Sequence, residues 1–524
     1  MSGRSTIVGI AAVALLLAII AGCASKSSYP PDVDKALESA GDNRAELEKV
    51  ITHYAAGPDT LKLKAAYFLI GNMEGHCYVT YALEDTLDTV VDFDPLAYPD
   101  YQALTTAFDS LEKLHGVLDF KKKDKIDDLK VIKADFLIDQ IDYAFKAWRE
   151  KSWARALSFT DFCEYVLPYR GSNEPLEPWR RTLYEKYAGI EDSLSDPSDP
   201  IGAACRINDD VKTWFGFDPR YYYHPTDQGL SEMRAAKLGR CEDMTNLTIY
   251  AMCANGLAVT SDYTPHWANA GNNHAWNAIL TAQGKVVPFM GAEANPGSYQ
   301  LANKPAKVYR KTFASQPDNL ILKERKQDKV PGWLAGQNYI DVTKDYEDVC
   351  DVTVTFSRDL PDSVDIAYLC VFNSGEWSAI HWGRINGDAS VFSDMGKGIA
   401  YLPALYLNEK IVPWGDPFIL QPDGQIRTLR ADTGRTITVS LSATTGRALK
   451  ASTDGVAKSF LTPGQEYELF YMADQWQSLG TAVAGNEPLE FPGAPANGLY
   501  WLVAKDSDRE ERIFTIEDGR QVWW

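Results

Sequence analysis

The 524-residue chain has few of the residues that hold metals or build disulfide frameworks, with eight cysteines and seven histidines. The cysteines are scattered, and no CxxC pair or clustered His/Cys spacing occurs. So sparse a set does not make a disulfide framework in a protein of this size. Cys350 and Cys370 flank apparent strands, and a disulfide between them or two buried thiols are both open. The sequence predicts neither a metal centre nor a cofactor.

Positive charge is also scarce, because 52 Lys and Arg stand against 72 Asp and Glu, for a net charge of −20. A strongly acidic surface repels phosphate backbones, so a nucleic-acid partner is not expected. It repels anionic lipid headgroups as well. Any attachment to a membrane is therefore expected to come from a lipid anchor.

Long apolar runs are missing except near the start of the chain, where Ile7 to Ile20 follow Arg4. That run is shorter than the ~20 residues that a transmembrane helix needs. A basic residue, an apolar segment and then small residues are typical of an export signal. The segment Ile20-Ala21-Gly22-Cys23 resembles the lipobox of bacterial lipoproteins.

This resemblance implies a signal peptide over residues 1–22, a lipid on Cys23 and a linker over residues 23–33. Ala24 follows the cysteine, and in such lipoproteins a residue other than Asp at this place favours the outer membrane. We therefore expect a lipid-anchored protein of the cell envelope, at the outer membrane. The face of the membrane on which it lies stays open.

The mature chain of roughly 500 residues is long enough for three or four domains. Helical spacing of apolar residues, as at Leu104, Phe108 and Leu111, dominates the first 200 residues, whereas alternation, as at Val352, Val354 and Phe356, dominates beyond residue 340. Asp518-Gly519 between two apolar segments predicts a β-hairpin. The predicted class is multidomain α+β, with an all-helical domain over 34–200, a mixed domain over 201–330, and β-sandwich-like modules over 340–435 and 436–524.

Two segments of the mixed domain carry the candidate chemistry. Cys241 precedes a helical stretch, and the backbone N–H groups and dipole of a helix start favour a thiolate, unless Glu242 and Asp243 point inward and oppose it. His274 begins a segment that alternates like a strand. A thiol on a helix and an imidazole on a strand make the activated pair of thiol acyl-transfer enzymes, in which a third polar group orients the ring.

Gly239-Arg240-Cys241 before a helix, His274-Ala275-Trp276 opening a strand, and a short third strand resemble transglutaminase-like domains, relatives of papain-type thiol proteases. Ser261 to Trp267 resembles, more narrowly, large envelope lipoproteins that carry such a domain. Those domains usually end the third strand with Asp. Here Met290 or Gly291 takes that place, so the first acid, Glu293, and the amide of Asn295 are rival candidates for the orienting group.

The predicted function is thiol-dependent hydrolysis of amide bonds in a peptide, a protein or a peptidoglycan stem. Cys241 would be the nucleophile, His274 the base and Glu293 the orienting acid. Water is the expected acceptor, although hydrolysis and transfer are not separated by sequence. The alternative is a non-catalytic envelope module that binds protein or glycan. Aromatic residues around the site either line a substrate groove or belong to the core: Tyr221-Tyr222-Tyr223, Tyr263, Trp267 and Trp276.

Overall fold

The computed structural model describes residues 29–323, 330–446, 459–507 and 511–524. These residues form helices and several sheets, and the C-terminal part is rich in strands, as the predicted α+β class requires. The predicted signal peptide and Cys23 lie outside the described residues. Within the described ranges, no helix combines the length and the apolar character needed to cross a bilayer.

Most of the helices lie in the first half of the chain. Their apolar residues recur every three or four positions, as in the helix over 134–150, where Leu137, Ile141, Ala144 and Phe145 are all buried. The α-helices are α1 Pro31–Ala40, α2 Arg44–Ala55, α3 Thr60–Gly71, α4 Tyr101–His115, α5 Asp128–Val131, α6 Ala134–Glu150, α7 Phe159–Tyr165, α8 Arg180–Lys186, α9 Pro200–Lys212, α10 Leu230–Ala236, α11 Cys241–Cys253 and α12 Leu320–Lys323.

The predicted all-helical region contains an antiparallel pair of strands, which corrects the sequence prediction. Strand β1 is Cys77–Glu84 and strand β2 is Asp119–Asp127, and Glu84 pairs with Asp119. β1 reads CYVTYALE and is rich in β-branched and aromatic residues, which favour a strand. β2 reads DFKKKDKID and is mostly exposed, so it has no apolar stripe that would hold a helix on the core.

The central region is built on an antiparallel sheet against which α11 packs. Nearly every residue of α11 is buried, so this helix lies inside the protein and not on its surface. One hydrophobic cluster joins residues of α8, α9 and α11 to the sheet. The strand order is β7-β6-β5-β8-β9, with β5 Val259–Thr264, β6 His274–Leu280, β7 Val286–Phe289, β8 Tyr309–Lys311 and β9 Tyr339–Asp341; a short parallel pair, β3 Gly216–Phe217 and β4 Leu238–Gly239, precedes α11.

Beyond residue 345 the chain forms two further groups of strands. The first is an eight-stranded sheet, and the second comprises a two-stranded and a five-stranded sheet. The first group is β10 Val349–Thr355, β11 Ile366–Asn373, β12 Glu376–Asn386, β13 Ala389–Gly396, β14 Ile399–Leu407, β15 Lys410–Pro413, β16 Phe418–Leu420 and β17 Ile426–Thr428. The second is β18 Asp432–Leu441, β19 Glu466–Met472, β20 Trp476–Val483, β21 Leu489–Ala496, β22 Tyr500–Ala504, β23 Ile513–Glu517 and β24 Arg520–Trp523.

The C-terminal hairpin confirms the turn that the sequence predicts. Asp518 and Gly519 connect β23 to β24 with φ values of 49° and 74°. Two successive positive φ values are what the right-handed twist of a two-residue hairpin requires. Cys350 and Cys370 do not form a disulfide, and all seven cysteines of the described residues are free thiols.

Candidate active site

Cys241 is the first residue of α11, as the sequence predicts. Asp243 caps this helix start, because its carboxylate accepts the backbone N–H of Arg240 at 2.9 Å and that of Gln228 at 2.9 Å. Asp243 is therefore turned away from the thiol. As a residue of the first turn, Cys241 has a backbone N–H with no acceptor inside the helix.

The thiol of Cys241 is buried beside an acid. Its side chain is only 6 % exposed, and its Sγ donates a hydrogen bond to Glu242 Oε2 at 3.0 Å. Burial raises the pKa of Cys241 well above the ordinary thiol range, and the charge of Glu242 raises it further, against the lowering effect of the Ala275 backbone. Glu242 thus lies against the thiol, and its charge opposes the thiolate that a helix start favours. At neutral pH the thiol is protonated.

His274 is the first residue of β6 and lies among aromatic rings. Its ring is 5.9 Å from Trp267 and 5.8 Å from Trp276, centroid to centroid. Burial lowers the pKa of His274, although the charge of Glu242 raises it, so the imidazole is neutral at neutral pH. Among the described residues no hydrogen bond joins this imidazole to the thiol. The contact between the two elements runs through Ala275, the next residue of the strand.

The group that orients His274 is Tyr299, which the sequence analysis missed. His274 Nε2 lies 2.9 Å from Tyr299 Oη. Burial raises the pKa of Tyr299, and the charges of Glu293 and Cys241 raise it further, so these groups share one neighbourhood. Tyr299 stands in an irregular segment after β7, where no periodicity or motif points to it.

Neither sequence candidate for the orienting role hydrogen-bonds His274. Glu293 is exposed. The amide of Asn295 is bound to α9, since it accepts from Asn208 Nδ2 at 2.9 Å and donates to Asp209 Oδ1 at 2.9 Å.

An acid also has no room where the related domains end their third strand. A Cβ on Gly291 would overlap Thr248 Oγ1 of α11 and would lie 2.7 Å from Asn277 Oδ1 of β6. Met290 beside it is buried in the core, with only 1 % of its surface exposed. The close approach of this loop to α11 therefore leaves no room for a carboxylate at Gly291.

Only part of the predicted aromatic groove lies at the cleft. Trp276 is fully buried and Trp267 is buried against His274, so both support the site from behind. Tyr263 lines the cleft, with its ring 5.7 Å from that of Trp333. Tyr222, from the tyrosine run, also lines the cleft and is 55 % exposed.

A buried polar network supports the sheet under His274. Trp276 Nε1 donates to Tyr346 Oη at 3.1 Å, and Tyr346 Oη donates to Asp262 Oδ2 at 2.6 Å. Arg310 donates to both oxygens of Asp262, each at 2.8 Å. This bidentate pair joins β5 to β8 and is nearly inaccessible to water, so it fixes the strands on which the site rests.

The site opens into a cleft of about 880 Å³. Glu242 and His274 line the cleft, and the buried thiol of Cys241 is hydrogen-bonded to Glu242. Within the described ranges, no group of three or more His, Cys, Asp or Glu side chains is arranged to hold a metal ion. The other lining residues come from β1, the segment after α7, the Tyr221-Tyr222-Tyr223 segment, the central sheet and the turn before β9. They include Tyr81, Arg170, Ser172, Asp227, Arg240, Lys311 and Trp333.

Comparisons with known proteins add little to this geometry. No family model matches the chain, and no curated protein matches it. Among solved structures, it is similar to a transglutaminase from red sea bream at 9 % identity, with a TM-score of 0.20 over 87 % of this chain and 77 % of the other. A similarity at this level carries no argument about the fold. The secondary structure by itself establishes the described chain as a mixed α+β protein with a strand-rich C-terminal part.

Proposed function

We propose that this chain is an envelope enzyme that hydrolyses amide bonds through a transglutaminase-like thiol site. The observation that carries the proposal is that the first residue of helix α11 lies next to the start of strand β6. Cys241 begins α11, and its thiol faces the backbone of Ala275, directly after the neutral His274 that begins β6. A thiol and a neutral imidazole at two neighbouring element starts, with Tyr299 on Nε2 of the imidazole, supply the residue types that thiol acyl transfer needs.

In the proposed reaction, Cys241 Sγ attacks the carbonyl carbon of a substrate amide while its proton passes to His274 Nδ1. The carbonyl oxygen becomes an oxyanion, and the free N–H of Cys241 is positioned to donate to it. The C–N bond then breaks, and the leaving amine takes the proton from His274. Water attacks the thioester with His274 as the base, which releases a carboxylic acid and regenerates the thiol.

Glu242 has to move for this reaction to begin, because its carboxylate accepts the hydrogen bond from the Cys241 thiol. A destination lies nearby. Arg240 Nε has no hydrogen-bond partner among the described residues and lies 3.7 Å from Glu242 Oε2. A small shift of the carboxylate onto this guanidinium would free the thiol and also move away from the sulfur a charge that raises the pKa of Cys241.

The proposed location is the cell envelope, with the mature chain held by a lipid on Cys23 at the outer membrane. Substrates would then be peptides, proteins or peptidoglycan stems that reach the envelope. The proposed chemistry needs only side chains and water, and no cofactor enters any step.

A second candidate function is binding without catalysis. The observation in its favour is the burial of Cys241, which is 6 % exposed and is hydrogen-bonded to Glu242. A binding function would also require exposed aromatic patches beyond residue 340. In the described part of that region, the exposed large hydrophobic residues are all aliphatic, namely Val391, Ile426 and Val483. Hydrolysis therefore has the stronger support.

Hydrolysis in ¹⁸O-labelled water tests the proposal. The mature chain would be incubated with a panel of three- to five-residue peptides and peptidoglycan stem peptides, and the products analysed by mass spectrometry. We expect new fragments with one ¹⁸O in the new carboxylate, and their loss in Cys241→Ala. Products formed equally by Cys241→Ala, or no product from any substrate, would reject hydrolysis at this site, whereas peptide joined to an added amine would indicate transfer.

A further inference from the structure

One cation of the cleft has no acidic partner. Lys311, the last residue of β8, lines the cleft, and its Nζ donates to Ser172 Oγ at 2.8 Å. Within the described residues it forms no ion pair. The other three cations of the cleft are each paired with a carboxylate: Lys125 with Asp127 at 2.8 Å, Arg170 with Asp128 at 2.6 Å and Arg240 with Asp227 at 2.7 Å.

The charge of Lys311 acts inside the cleft. Burial opposes ionisation of Asp227, but the cations of Arg240 and Lys311 hold its pKa below the ordinary value. Asp227 is already paired with Arg240, so Lys311 adds a second cation that this acid does not neutralise by contact. An unpaired ammonium group in a partly enclosed cleft is a natural partner for an incoming carboxylate.

The sheet fixes the distance between the backbone of Lys311 and that of Ala275, which lies next to the Cys241 thiol. Tyr263 of β5 pairs with Ala275 of β6 on one side and with Tyr309 of β8 on the other, so these three residues are level. Lys311 lies two residues beyond Tyr309 on the same face. Two strand spacings and two residue rises place the Cα atoms of Ala275 and Lys311 about 12 Å apart.

This distance matches a short peptide. An extended chain spans roughly 3.5 Å per residue, so about three residues cover the separation. Tyr263 lies between the two points and lines the cleft, and Trp333 packs beside it. A peptide of this length, with its amide bond at Cys241, would rest on these rings and bring a carboxylate to Lys311.

We propose that Lys311, with Ser172, binds a carboxylate of the substrate, so that the site selects short peptides with a negative charge about three residues from the bond that is cleaved. This inference rests on the proposed function for the position of that bond. The binding of a carboxylate in the cleft does not depend on turnover. The carboxylate can be the C-terminus of the peptide or an acidic side chain, and the two share one chemistry.

Binding to the inactive variant Cys241→Ala tests the inference by calorimetry. The probes are acetylated tri- to pentapeptides of alanine as free acids, the same peptides as C-terminal amides, and amides with one internal glutamate. We expect a free acid or a glutamate peptide to bind about 10-fold or more tightly than the plain amide, as a charged hydrogen bond allows. Lys311→Met should abolish this preference, and Lys311→Arg should restore most of it.

Lys125→Met is the matched control, because Lys125 lines the same cleft but is paired with Asp127. It should keep the preference, and retained binding of the amide by Lys311→Met shows that this variant is folded. A preference for the free acid identifies the C-terminus as the source, and one for the glutamate peptide identifies a side chain.

Equal binding of acids and amides, a preference that survives Lys311→Met, or no binding at millimolar peptide would overturn the inference. If the wild type cleaves nothing while the preference depends on Lys311, the proposed hydrolysis fails and the carboxylate site stands.

Discussion

The two ends of α11 each carry a buried cysteine, in opposite chemical settings. Cys241 begins the helix and is 6 % exposed, and Cys253 ends it and is 2 % exposed. Burial raises the pKa of both thiols, that of Cys253 to about 11. The Cys253 thiol donates to the carbonyl oxygens of Tyr165 at 3.2 Å and Val259 at 3.4 Å, whereas the Cys241 thiol donates to the carboxylate of Glu242 at 3.0 Å and lies near the backbone of Ala275.

This difference shows that burial and a raised pKa do not separate a nucleophile from a structural thiol. What differs between the two thiols is the end of the helix at which each one lies. Free N–H groups at its start stabilise negative charge on sulfur and on a developing oxyanion, while carbonyl groups at its end favour the neutral thiol. In the proposed function, the thiol of the first turn is the nucleophile and the thiol of the last turn serves packing.

The largest difference should appear when each of these two cysteines is replaced in turn by serine. Cys241→Ser is expected to lower kcat/KM for amide hydrolysis by at least about 10⁴-fold, because the nucleophile is lost. Cys253→Ser should leave turnover within a few fold, because this thiol only hydrogen-bonds carbonyl groups. Steady-state kinetics on one peptide measures both. Similar losses in the two variants would erase the distinction between the helix ends.

The next largest effect concerns the packing of α11 against the sheet, because this packing positions both ends of the helix. Gly291→Ala should lower the free energy of unfolding by about 1–3 kcal/mol, because the added Cβ overlaps Thr248 of α11. Gly216→Ala is the control, since a Cβ there meets nothing within 4 Å. Urea unfolding measures both changes. An equally stable Gly291→Ala would mean that α11 is not held at this distance.

Glu242→Gln should make the first-turn thiol more reactive. Loss of the carboxylate charge lowers the pKa of Cys241, so more thiolate is present at a given pH. Alkylation of Cys241 by iodoacetamide at pH 8 should accelerate on the order of 10-fold, as peptide mapping would show. Cys253 in the same sample is the internal control and should not change. An unchanged or slower rate at Cys241 would contradict the role given to Glu242.

Tyr299→Phe should have a smaller effect on turnover. Loss of one hydrogen bond to His274 Nε2 is expected to lower kcat by about 3- to 10-fold with little change in KM, because the ring is less well oriented. Tyr81→Phe removes a hydroxyl that lines the cleft on β1 and should leave kcat unchanged. A change confined to KM would argue for substrate binding by Tyr299 and against orientation.

The smallest effect is on the pH profile. Because burial lowers the pKa of His274 below the ordinary 6.5, the imidazole should remain neutral as the pH falls through 6.5. For an ordinary histidine, the fraction of neutral imidazole falls about 3-fold between pH 7 and pH 6. The acid limb of kcat/KM should therefore fall by less than this over the same interval. A steeper loss would place the base in a more solvated setting.

Sequence predicted what short segments decide by themselves. The helix start at Cys241, the strand start at His274 and the Asp518-Gly519 turn all follow from a few adjacent residues. The strand β2 was missed because its nine residues are mostly charged and lack a clear period.

The supporting groups of the site could not be predicted, because they depend on strand order. Asp262 and Arg310 are 48 positions apart and meet only because β5 and β8 are neighbours in the sheet. Tyr299 reaches His274 from an irregular segment. At Gly291, where the related domains have Asp, the packing of α11 against the loop leaves no room for a side chain.

The most direct test of the account is covalent trapping of the acyl-enzyme. An acetyl-peptide p-nitrophenyl ester acylates an activated thiol without demanding the correct amide substrate, and intact mass spectrometry detects the adduct. The account predicts one acyl group on the mature chain, mapped to Cys241, released by water over time and strongly reduced in His274→Ala. No adduct, an adduct on another cysteine such as Cys253, or acylation unaffected by His274→Ala would contradict it.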